Sequence, residues 1–275
     1  MKIKIDLHMH TTASDGKLSP KDLVILANDQ NLDIISITDH DTTAGIEEAI
    51  KASEPYNLKI IPGIELSTIH NNESIHILGY FRDNSYKNME FQKFLKDMQD
   101  YRIYRAKKIV ENLNTYFNIK LDYEQVFKRA RGVIARPHIA ASIIEEGYPY
   151  DWDYIFNNII SKDSPAYVHN KKVSLTEGIS MLKDLNALVS LAHPVLIKKS
   201  NVEDIIKYDF DAIEALYYLN TKEDTLKFID LAEKHKKLIT FGSDFHGLGA
   251  DDTKHGYIGS MDVPSEYADR FINAL

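Results

Sequence analysis

Residues 2–10 of the chain read KIKIDLHMH, a short strand-like stretch that ends in two histidines. Side chains on a strand alternate between its two faces, so His8 and His10 are predicted to point to the same side. Two imidazoles placed in this way can share one metal ion. The pair alone is weak evidence, because a chain with 11 histidines contains such a pair by chance roughly 0.4 times.

The first 90 residues alternate short β-branched runs with amphipathic helical stretches. Strands are predicted at Lys2–Asp6, Asp33–Thr38, Leu58–Ile61 and Ser74–Phe81. A helix is predicted to begin at Ser19, a capping residue followed by a proline and then by an acid near the positive helix end. A second helix should run from Thr43 to Ser53. This strand–helix–strand order predicts a parallel sheet or a barrel.

The pattern changes between residues 88 and 170, where apolar residues recur every three or four positions and no convincing strand is found. The rhythm of strands and helices resumes with a capping box at Ser174 and Glu177. Further strands are predicted at Leu188–Leu191, Ala212–Leu216 and Leu238–Phe241. The sequence therefore predicts an α/β barrel domain, residues 1–87 and 171–275, interrupted by an all-helical insertion domain, residues 88–170.

Residues of metal-ligand type stand at or near the end of nearly every predicted strand. They are Asp15, His40, Glu65, His76, His193, Asp244 and His246, in addition to His8 and His10. In a barrel the carboxyl ends of the strands meet on one face, where active sites lie. The pattern therefore predicts a site for several metal ions on that face. The histidines outside it, by contrast, are predicted to face solvent: His70, His169, His235 and His255.

The ligand types indicate which metals and which reaction to expect. Imidazole and carboxylate ligands suit Zn²⁺, Mn²⁺ or Fe²⁺, whereas Ca²⁺ and Mg²⁺ sites are usually richer in oxygen. The candidates are too many for one ion, so two or three ions sharing a bridging carboxylate are expected. Adjacent divalent metals suit in-line displacement at phosphorus. Hydrolysis of a phosphate ester is the predicted reaction, with amide hydrolysis as the alternative.

Composition narrows the class of protein. The formal net charge of −8 excludes a generally basic nucleic-acid binder, and the absence of cysteine excludes disulfides and thiolate metal ligands. No apolar run is long enough to span a membrane and no signal peptide is seen, so a cytoplasmic protein is expected. Residues 96–136 nevertheless hold ten lysines and arginines against five acids. They form either a solvated helical face or a patch that attracts a phosphate-bearing ligand.

Together these residues resemble the motifs of the PHP (polymerase and histidinol phosphatase) family. The motifs are DLHMH at 6–10 with Asp15, TDHD at 38–41, the pair Glu65 and His76, and GSDFH at 242–246. The resemblance spans nearly the whole chain. It implies a distorted, TIM-like (β/α)7 barrel that holds a trinuclear metal site on its C-terminal face.

The resemblance also implies a ligand set. The first metal would take His8, His10, Glu65 and Asp244, and the second would share Glu65 and add His76 and His138. The third would take Asp15, His40 and His246, although many family members have histidine where this chain has Asp15. His138 belongs to the motif RPH at 136–138, so the insertion is expected to cover the active site and to be part of it.

Asp15, the insertion, RPH at 136–138 and AHP at 192–194 are similar to one branch of the family. That branch includes phosphatases of nucleoside 3′,5′-bisphosphates and exoribonucleases that trim RNA from the 5′ end. The expected reaction is removal of the 3′-phosphate of such a bisphosphate by a metal-bridging hydroxide. Arg136 would clamp a phosphate, and His193 would contact the phosphate or protonate the leaving alcohol.

Three other interpretations stay open. One is 5′-3′ exonuclease activity on short RNA, for which the basic face of the insertion would guide the RNA backbone. The others are a histidinol-phosphate-type phosphatase and a non-catalytic metal-binding module. The expected cofactors are two or three manganese, zinc or iron ions, and the expected ligand is a small phosphorylated molecule, with no membrane partner. Asp6, Asp39 and Asp41 are predicted to orient ligand imidazoles.

Overall fold

The structure, a computed structural model, describes residues 3–130, 136–169, 171, 173–249 and 252–275. Two residues with sequence predictions, Lys2 and Arg131, lie outside this part. The chain divides into two compact units, which we call the barrel unit (residues 1–92 and 172–275) and the helical unit (residues 93–171).

The barrel unit is built on one seven-stranded sheet in which the strands follow the order of the sequence. They are β1 (Ile5–Asp6), β2 (Ile34–Ile37), β3 (Lys59–His70), β4 (Glu73–Phe81), β5 (Ala187–Leu191), β6 (Ala212–Tyr217) and β7 (Leu238–Gly242). Each strand coincides with or overlaps a predicted one. β2, β5 and β6 are buried along their whole length, as expected for strands covered on both faces.

One strand departs from the predicted parallel arrangement. β4 pairs antiparallel with both β3 and β5, while the other neighbouring strands are parallel. The cause is the two-residue turn Asn71–Asn72, whose φ angles of 48° and 61° lie in the left-handed region. Asparagine tolerates this conformation, and such turns join adjacent strands of a hairpin. β4 therefore runs back along β3, with His70 opposite Glu73.

The sheet nearly closes on itself, which confirms the predicted barrel. Past the end of β1 the Leu7 N–H donates to the Phe241 carbonyl at 3.3 Å, and the His10 N–H donates to the Phe245 carbonyl at 2.9 Å. The fully buried Asp6 carboxylate strengthens this seam by accepting the Ser243 N–H and hydroxyl, at 3.0 and 2.6 Å. Burial raises the pKa of Asp6, and these donors oppose the rise.

Ten helices complete the described residues. They are α1 (Pro20–Asp29), α2 (Ile46–Ser53), α3 (Met89–Phe117), α4 (Tyr123–Ala130), α5 (Arg136–Glu145), α6 (Trp152–Tyr154), α7 (Leu175–Asp184), α8 (Val202–Ile205), α9 (Lys222–Lys234) and α10 (Ser265–Ala274). The predicted helix starts are confirmed: the Ser19 hydroxyl accepts the Asp22 N–H, and Ser174 and Glu177 form a capping box. No helix among the described residues is both long and apolar enough to cross a membrane.

The helical unit contains most of α3 together with α4, α5, α6 and a π-helical turn, Ile155–Ile159. Apolar side chains fill its core, among them Ile109 and Leu113 of α3 and Ile139 and Ile143 of α5. No strand lies among its described residues. The helical character predicted for this part of the chain is therefore found in the structure.

Candidate metal centre

The barrel gathers polar side chains at one end of the sheet. Parallel strands deliver them just past their carboxyl ends: His8 and His10 follow β1, His40 follows β2, and Asp244 and His246 follow β7. Backbone pairing fixes the positions of these segments. The backbones of His40 and Glu65 of β3 pair in an isolated parallel β-bridge, and so do those of Met9 and Phe245.

The reversed strand explains how His76 reaches this end. His76 lies near the start of β4, and Glu65 lies in the middle of the longer strand β3. Glu65 is therefore not at the end of its strand, the place expected from the shorter predicted strand Leu58–Ile61. Because β4 runs antiparallel, its beginning is placed where its parallel neighbours end.

Glu65 is the centre of the cluster. This carboxylate is only 1% exposed, and imidazole nitrogens surround both of its oxygens. Oε2 lies 2.9 Å from His40 Nδ1 and 3.2 Å from His10 Nε2. Oε1 lies 2.8 Å from both His76 Nδ1 and His193 Nε2. One carboxylate therefore faces two separate groups of ligands, as a residue that bridges two metals must.

Asp244 and Asp15 extend the cluster on either side of His10. Asp244 Oδ1 lies 3.1 Å from His10 Nε2 and 3.3 Å from His8 Nε2. Asp15 Oδ1 lies 3.4 Å from His10 Nδ1 and 3.3 Å from His246 Nε2. The ligand atoms fall into overlapping groups with all separations within 4.8 Å: His8 with His10, Glu65 and Asp244; His40 with Glu65 and His76; and His10 with Asp15, His40 and His246. The structure thus brings together eight of the nine predicted ligands.

The donor set fits divalent metals. Buried nitrogens of His8, His10 and His40 lie close to carboxylate oxygens but form no well-aligned hydrogen bond with them or with other described residues. Unpaired buried polar atoms cost free energy unless something else satisfies them. The separations of 3.3 and 3.1 Å from His8 Nε2 and His10 Nε2 to the Asp244 oxygen are close to the distance of about 3.4 Å expected between two ligands of one tetrahedral zinc.

The charges in the cluster also favour the binding of divalent metals. Burial would lower the pKa of His8, but the carboxylates of Glu214, Asp244 and Glu65 raise it well above its ordinary value. Burial would likewise raise the pKa of Glu65, but the imidazoles of His40, His76 and His8 hold it well below its ordinary value. Protons on these imidazoles occupy the place that metal ions take when they bind neutral histidine.

Glu214 is a functional residue that the sequence reasoning missed. It is fully buried in β6, where one oxygen lies 2.9 Å from His8 Nδ1 and the other accepts the His193 N–H at 2.7 Å. A carboxylate in this position fixes the ring of a metal ligand and its tautomer. The available signal was an acidic residue inside the apolar run AIEALY at 212–217, since a buried charge requires a partner.

The aspartates predicted to orient imidazoles accept hydrogen bonds from backbone and hydroxyl groups. Asp39 accepts the Thr11 N–H and hydroxyl, both at 2.7 Å, and the Ser14 hydroxyl at 2.6 Å. Asp41 accepts the Ser67 N–H at 2.7 Å. Asp39 and the seam residue Asp6 therefore hold the loops that carry the ligands, and Glu214 holds an imidazole.

His193 joins the cluster in a strained conformation. Its φ of 25° lies in the left-handed region, where φ angles of 51° and 55° also place Asp41 and Asp244. Such conformations cost about 1–3 kcal/mol each and concentrate at functional sites. The hydrogen bond from its N–H to Glu214 holds this turn, and Nε2 then points at Glu65. Its predicted role toward the phosphate stays a prediction.

The remaining predicted site residues belong to the helical unit. Arg136 and His138 lie on the first turn of α5. The Arg136 guanidinium donates to the Ile160 carbonyl at 3.4 Å and lies 5.8 Å from the ring centre of Phe156. The His138 carbonyl accepts the Ser142 hydroxyl. Their assignment as phosphate clamp and ninth ligand stays a prediction.

Two of the histidines predicted to face solvent do not do so. The side chain of His235, which follows α9, is only 18% exposed. That of His255 is only 22% exposed, and its ring lies against His246 with 3.9 Å between the ring centres. Its Nδ1 lies 2.9 Å from an oxygen of Asp252. Asp244, His246 and His255 form a further group of possible ligands. The long loop after β7 folds back over the cluster, which no periodicity in the sequence revealed.

Comparisons with known proteins agree with this geometry. The PHP domain model matches residues 6–135. The 5′-3′ exoribonuclease Rnm of Escherichia coli is 31% identical over 250 residues, 88% of this chain and 84% of that protein. The 3′,5′-nucleoside bisphosphate phosphatase of Chromobacterium violaceum is 27% identical over 262 residues, 91% of this chain and 90% of that one.

A solved structure agrees as well. A putative metal-dependent phosphoesterase from Bifidobacterium adolescentis superposes with a TM-score of 0.77 at 27% identity, covering 100% of this chain and 97% of that one. Fold and sequence similarity thus extend over both units of the chain.

Proposed function

Because the chain belongs to the PHP family and is a metal-dependent phosphoesterase, we propose that it removes the 3′-phosphate of a nucleoside 3′,5′-bisphosphate. The observation that carries this proposal is Glu65, a buried carboxylate with imidazoles at both oxygens inside overlapping ligand groups. Such an arrangement suits adjacent divalent metals. Bound there, these metals would stabilise charge on the phosphate oxygens and lower the pKa of a bound water.

The names of two kinds of relative support a specific choice of the bond that is broken. One is named for removing a phosphate from a 3′,5′-bisphosphate and the other for degrading RNA from the 5′ end. If each leaves a nucleotide with its 5′-phosphate, both reactions break the bond between phosphorus and the 3′-oxygen of that nucleotide. A single active site could therefore perform either reaction, and they would differ in what is attached to the far side of the phosphate.

The chain's own residues would divide the work as follows. The first metal would be held by His8, His10, Glu65 and Asp244. The second would be held by His76 together with the shared Glu65, and the third by Asp15, His40 and His246. Glu214 keeps His8 in the tautomer that binds metal. His193 contacts the phosphate or gives a proton to the departing 3′-oxygen.

We assign two further roles to the helical unit on the strength of the family resemblance. Arg136 binds a phosphate through the two parallel N–H groups of its guanidinium, a geometry that an ammonium cannot offer. His138 completes the ligand set of the second metal. Manganese, zinc or iron are the metals that suit these ligands.

Exonuclease activity on short RNA is the second candidate, and the 31% identity to the E. coli enzyme favours it. α3 adds a physical argument. Tyr104 and Tyr116 are 55% and 57% exposed on a helix that also carries Arg102 and Lys108. Exposed aromatic rings with nearby cations are typical of surfaces that bind single-stranded nucleic acid.

Two assays on the chelator-stripped protein, supplied with Mn²⁺, Zn²⁺ or Fe²⁺, test the proposal. Release of inorganic phosphate is measured with adenosine 3′,5′-bisphosphate and with histidinol phosphate, and release of nucleoside 5′-monophosphate is measured with a short 5′-phosphorylated RNA. We expect turnover of the bisphosphate that needs added metal. Turnover of histidinol phosphate alone would show that the proposed nucleotide substrate is wrong. No turnover of any substrate would favour a non-catalytic metal-binding module.

Salt separates the two nucleotide substrates. A protein that contacts several phosphates of an RNA loses affinity steeply as salt rises, whereas binding of a mononucleotide changes much less. A steep salt dependence of KM with the RNA, together with a higher kcat/KM than for the bisphosphate, would establish the exonuclease as the main activity.

A further inference from the structure

A cavity of about 570 Å³ lies in the barrel unit beside the metal cluster. Residues of two loops line it, one following β1 and the other following β7, together with a residue just past β6. The side chains that line it include Leu18, Tyr218, Phe245, Asp252, His255 and Tyr257. The volume lies within the range of roughly 300–1,000 Å³ that is typical of small-molecule sites.

The walls of this cavity are aromatic and open. Tyr218 is 42% exposed and Tyr257 is 54% exposed, while Phe245 is buried and supports Tyr257 edge to face at 5.7 Å between ring centres. Gly256 makes this arrangement possible. A Cβ at Gly256 would lie 2.8 Å from the Ser243 carbonyl oxygen and 3.0 Å from Tyr218. Only glycine lets the loop approach so closely.

The cavity opens next to the ligands of the third metal. Phe245 precedes His246 in the chain, and His255 lines the cavity while its ring lies against that of His246. The Lys17 N–H donates to the His246 carbonyl at 2.8 Å, which ties the loop after β1 to the same point. A molecule whose phosphate reaches the metal cluster would thus have an aromatic surface within reach of its other end.

We propose that this cavity, which we call the aromatic pocket, binds the nucleobase of the nucleotide whose phosphate is hydrolysed. The inference rests on the proposed function, since it assigns a place to the rest of that substrate. A flat heterocycle stacks favourably on tyrosine, and every base offers such a face.

The same pocket offers little means of distinguishing one base from another. Asp252, its acidic residue, already accepts the Lys254 and His255 N–H groups and holds the His255 ring. With this carboxylate occupied, stacking on the tyrosine rings carries most of the recognition, and the hydroxyls of these tyrosines and of Ser260 serve any base because a hydroxyl both donates and accepts. The pocket therefore accepts purines and pyrimidines alike, with purines bound more tightly because their stacking surface is larger.

A matched pair of substrates tests the pocket: adenosine 3′,5′-bisphosphate and the same sugar bisphosphate with hydrogen in place of the base. In the wild type we expect kcat/KM to be about tenfold higher for the adenosine compound, the size of one base–aromatic stack. Tyr257→Ala should bring this ratio close to one, mainly through KM. Tyr257→Phe, which keeps the ring, should retain it.

Two outcomes would overturn the pocket assignment. One is an unchanged ratio in Tyr257→Ala, and the other is an equal loss in Tyr257→Phe. Should the alanine variant be poorly folded, Tyr218→Ala is measured in the same way.

Failure of the proposed function has a different signature. In that case the wild type releases phosphate from neither bisphosphate, and calorimetric titration with adenosine 5′-monophosphate then tests the pocket directly. Binding that is weakened at least about tenfold in Tyr257→Ala and retained in Tyr257→Phe supports the pocket, and equal binding by all three proteins overturns it.

Discussion

The barrel unit and the helical unit use their interiors in opposite ways. One end of the barrel buries charge: His8 and Glu214 are fully buried and Glu65 is 1% exposed. The core of the helical unit is apolar, with side chains such as Leu113 and Ile159. Buried charges destabilise a fold unless they are paired, so a cluster of this kind is retained for what it binds.

The difference shows where chemistry can be inferred from local structure. In the barrel, strand pairing forces the polar residues into one place, and the geometry of the cluster indicates its ligand. In the helical unit, Arg136 and His138 lie on the first turn of α5, a helix that contributes Ile139 and Ile143 to the apolar core. Their roles rest on family resemblance, so the predictions below test the two units separately.

The largest effect is expected at the barrel ligands. His8→Ala or Asp244→Ala should lower kcat by about a thousandfold or more, equivalent to about 4 kcal/mol, because either change removes a ligand of the first metal. Bound metal should fall while the circular dichroism spectrum is retained. His70→Ala, a histidine of the same unit outside the cluster, is the control. Activity of either variant within about tenfold of wild type would show that the metal assignment is wrong.

A smaller effect is expected when Glu214, which lies against the His8 ring, is changed. Glu214→Gln keeps the size of the side chain but removes the charge beside His8 and places an amide against the His8 ring or the His193 N–H. We expect metal affinity to fall about 10–100-fold, as for other changes behind metal ligands. Metal titration of the stripped protein measures it, with the exposed Glu223→Gln as control. Unchanged affinity would mean that Glu214 only stabilises the barrel.

The helical unit is tested by Arg136→Lys, which keeps the charge but loses the two parallel donors. We expect kcat/KM to fall by the equivalent of about 1–3 kcal/mol, as for a charge-assisted hydrogen bond, with bound metal unchanged. Arg102→Ala and Lys108→Ala should matter little for the bisphosphate but weaken RNA binding and its salt dependence. Full activity of Arg136→Lys would remove the phosphate clamp.

The smallest effect concerns a barrel charge outside the cluster. Glu73 is partly desolvated, but backbone N–H groups of residues 198–200 donate to it, and its pKa falls to about 2. A lowered pKa stabilises the fold above the unfolded value of 4.5, and this contribution disappears as the pH falls toward 2.

Glu73→Gln should therefore reduce the free energy of unfolding by about 1 kcal/mol at neutral pH, a modest value because the group is open to solvent. The difference from wild type should shrink as the pH falls from 4.5 toward 2. Denaturant titrations at several pH values measure it, with Glu54→Gln as control. A constant difference would show that hydrogen bonding, not charge, is responsible.

The positions of the barrel strands and of the eight clustered candidate ligands could be predicted because both follow from local patterns. Buried strands show as β-branched runs, and His, Asp and Glu beside their ends are conspicuous. The reversal of β4 was missed, although the tight turn Asn71–Asn72 could have indicated it. The strand–helix–strand rhythm of the surrounding sequence favoured a parallel arrangement instead.

The residues that escaped prediction act through contacts distant in sequence. Glu214 meets His8 across 206 positions, and the seam hydrogen bonds of Asp6 to Ser243 cross 237. His255 reaches His246 through an irregular loop. Periodicity reports which face of an element is buried but not which side chains meet there, so these partners required the structure.

The position of Glu65 has a consequence for how the protein acquires its metals. Because Glu65 belongs to two ligand groups, and His10 also belongs to two, metal ions held by these groups would be thermodynamically linked and would not fill independently. Binding of one ion would displace protons from the shared imidazoles and fix the shared oxygens, which would alter the affinity for the next ion by a coupling free energy. Stepwise titration should therefore depart from identical, independent sites, and loss of one ion should change how tightly its neighbour is held.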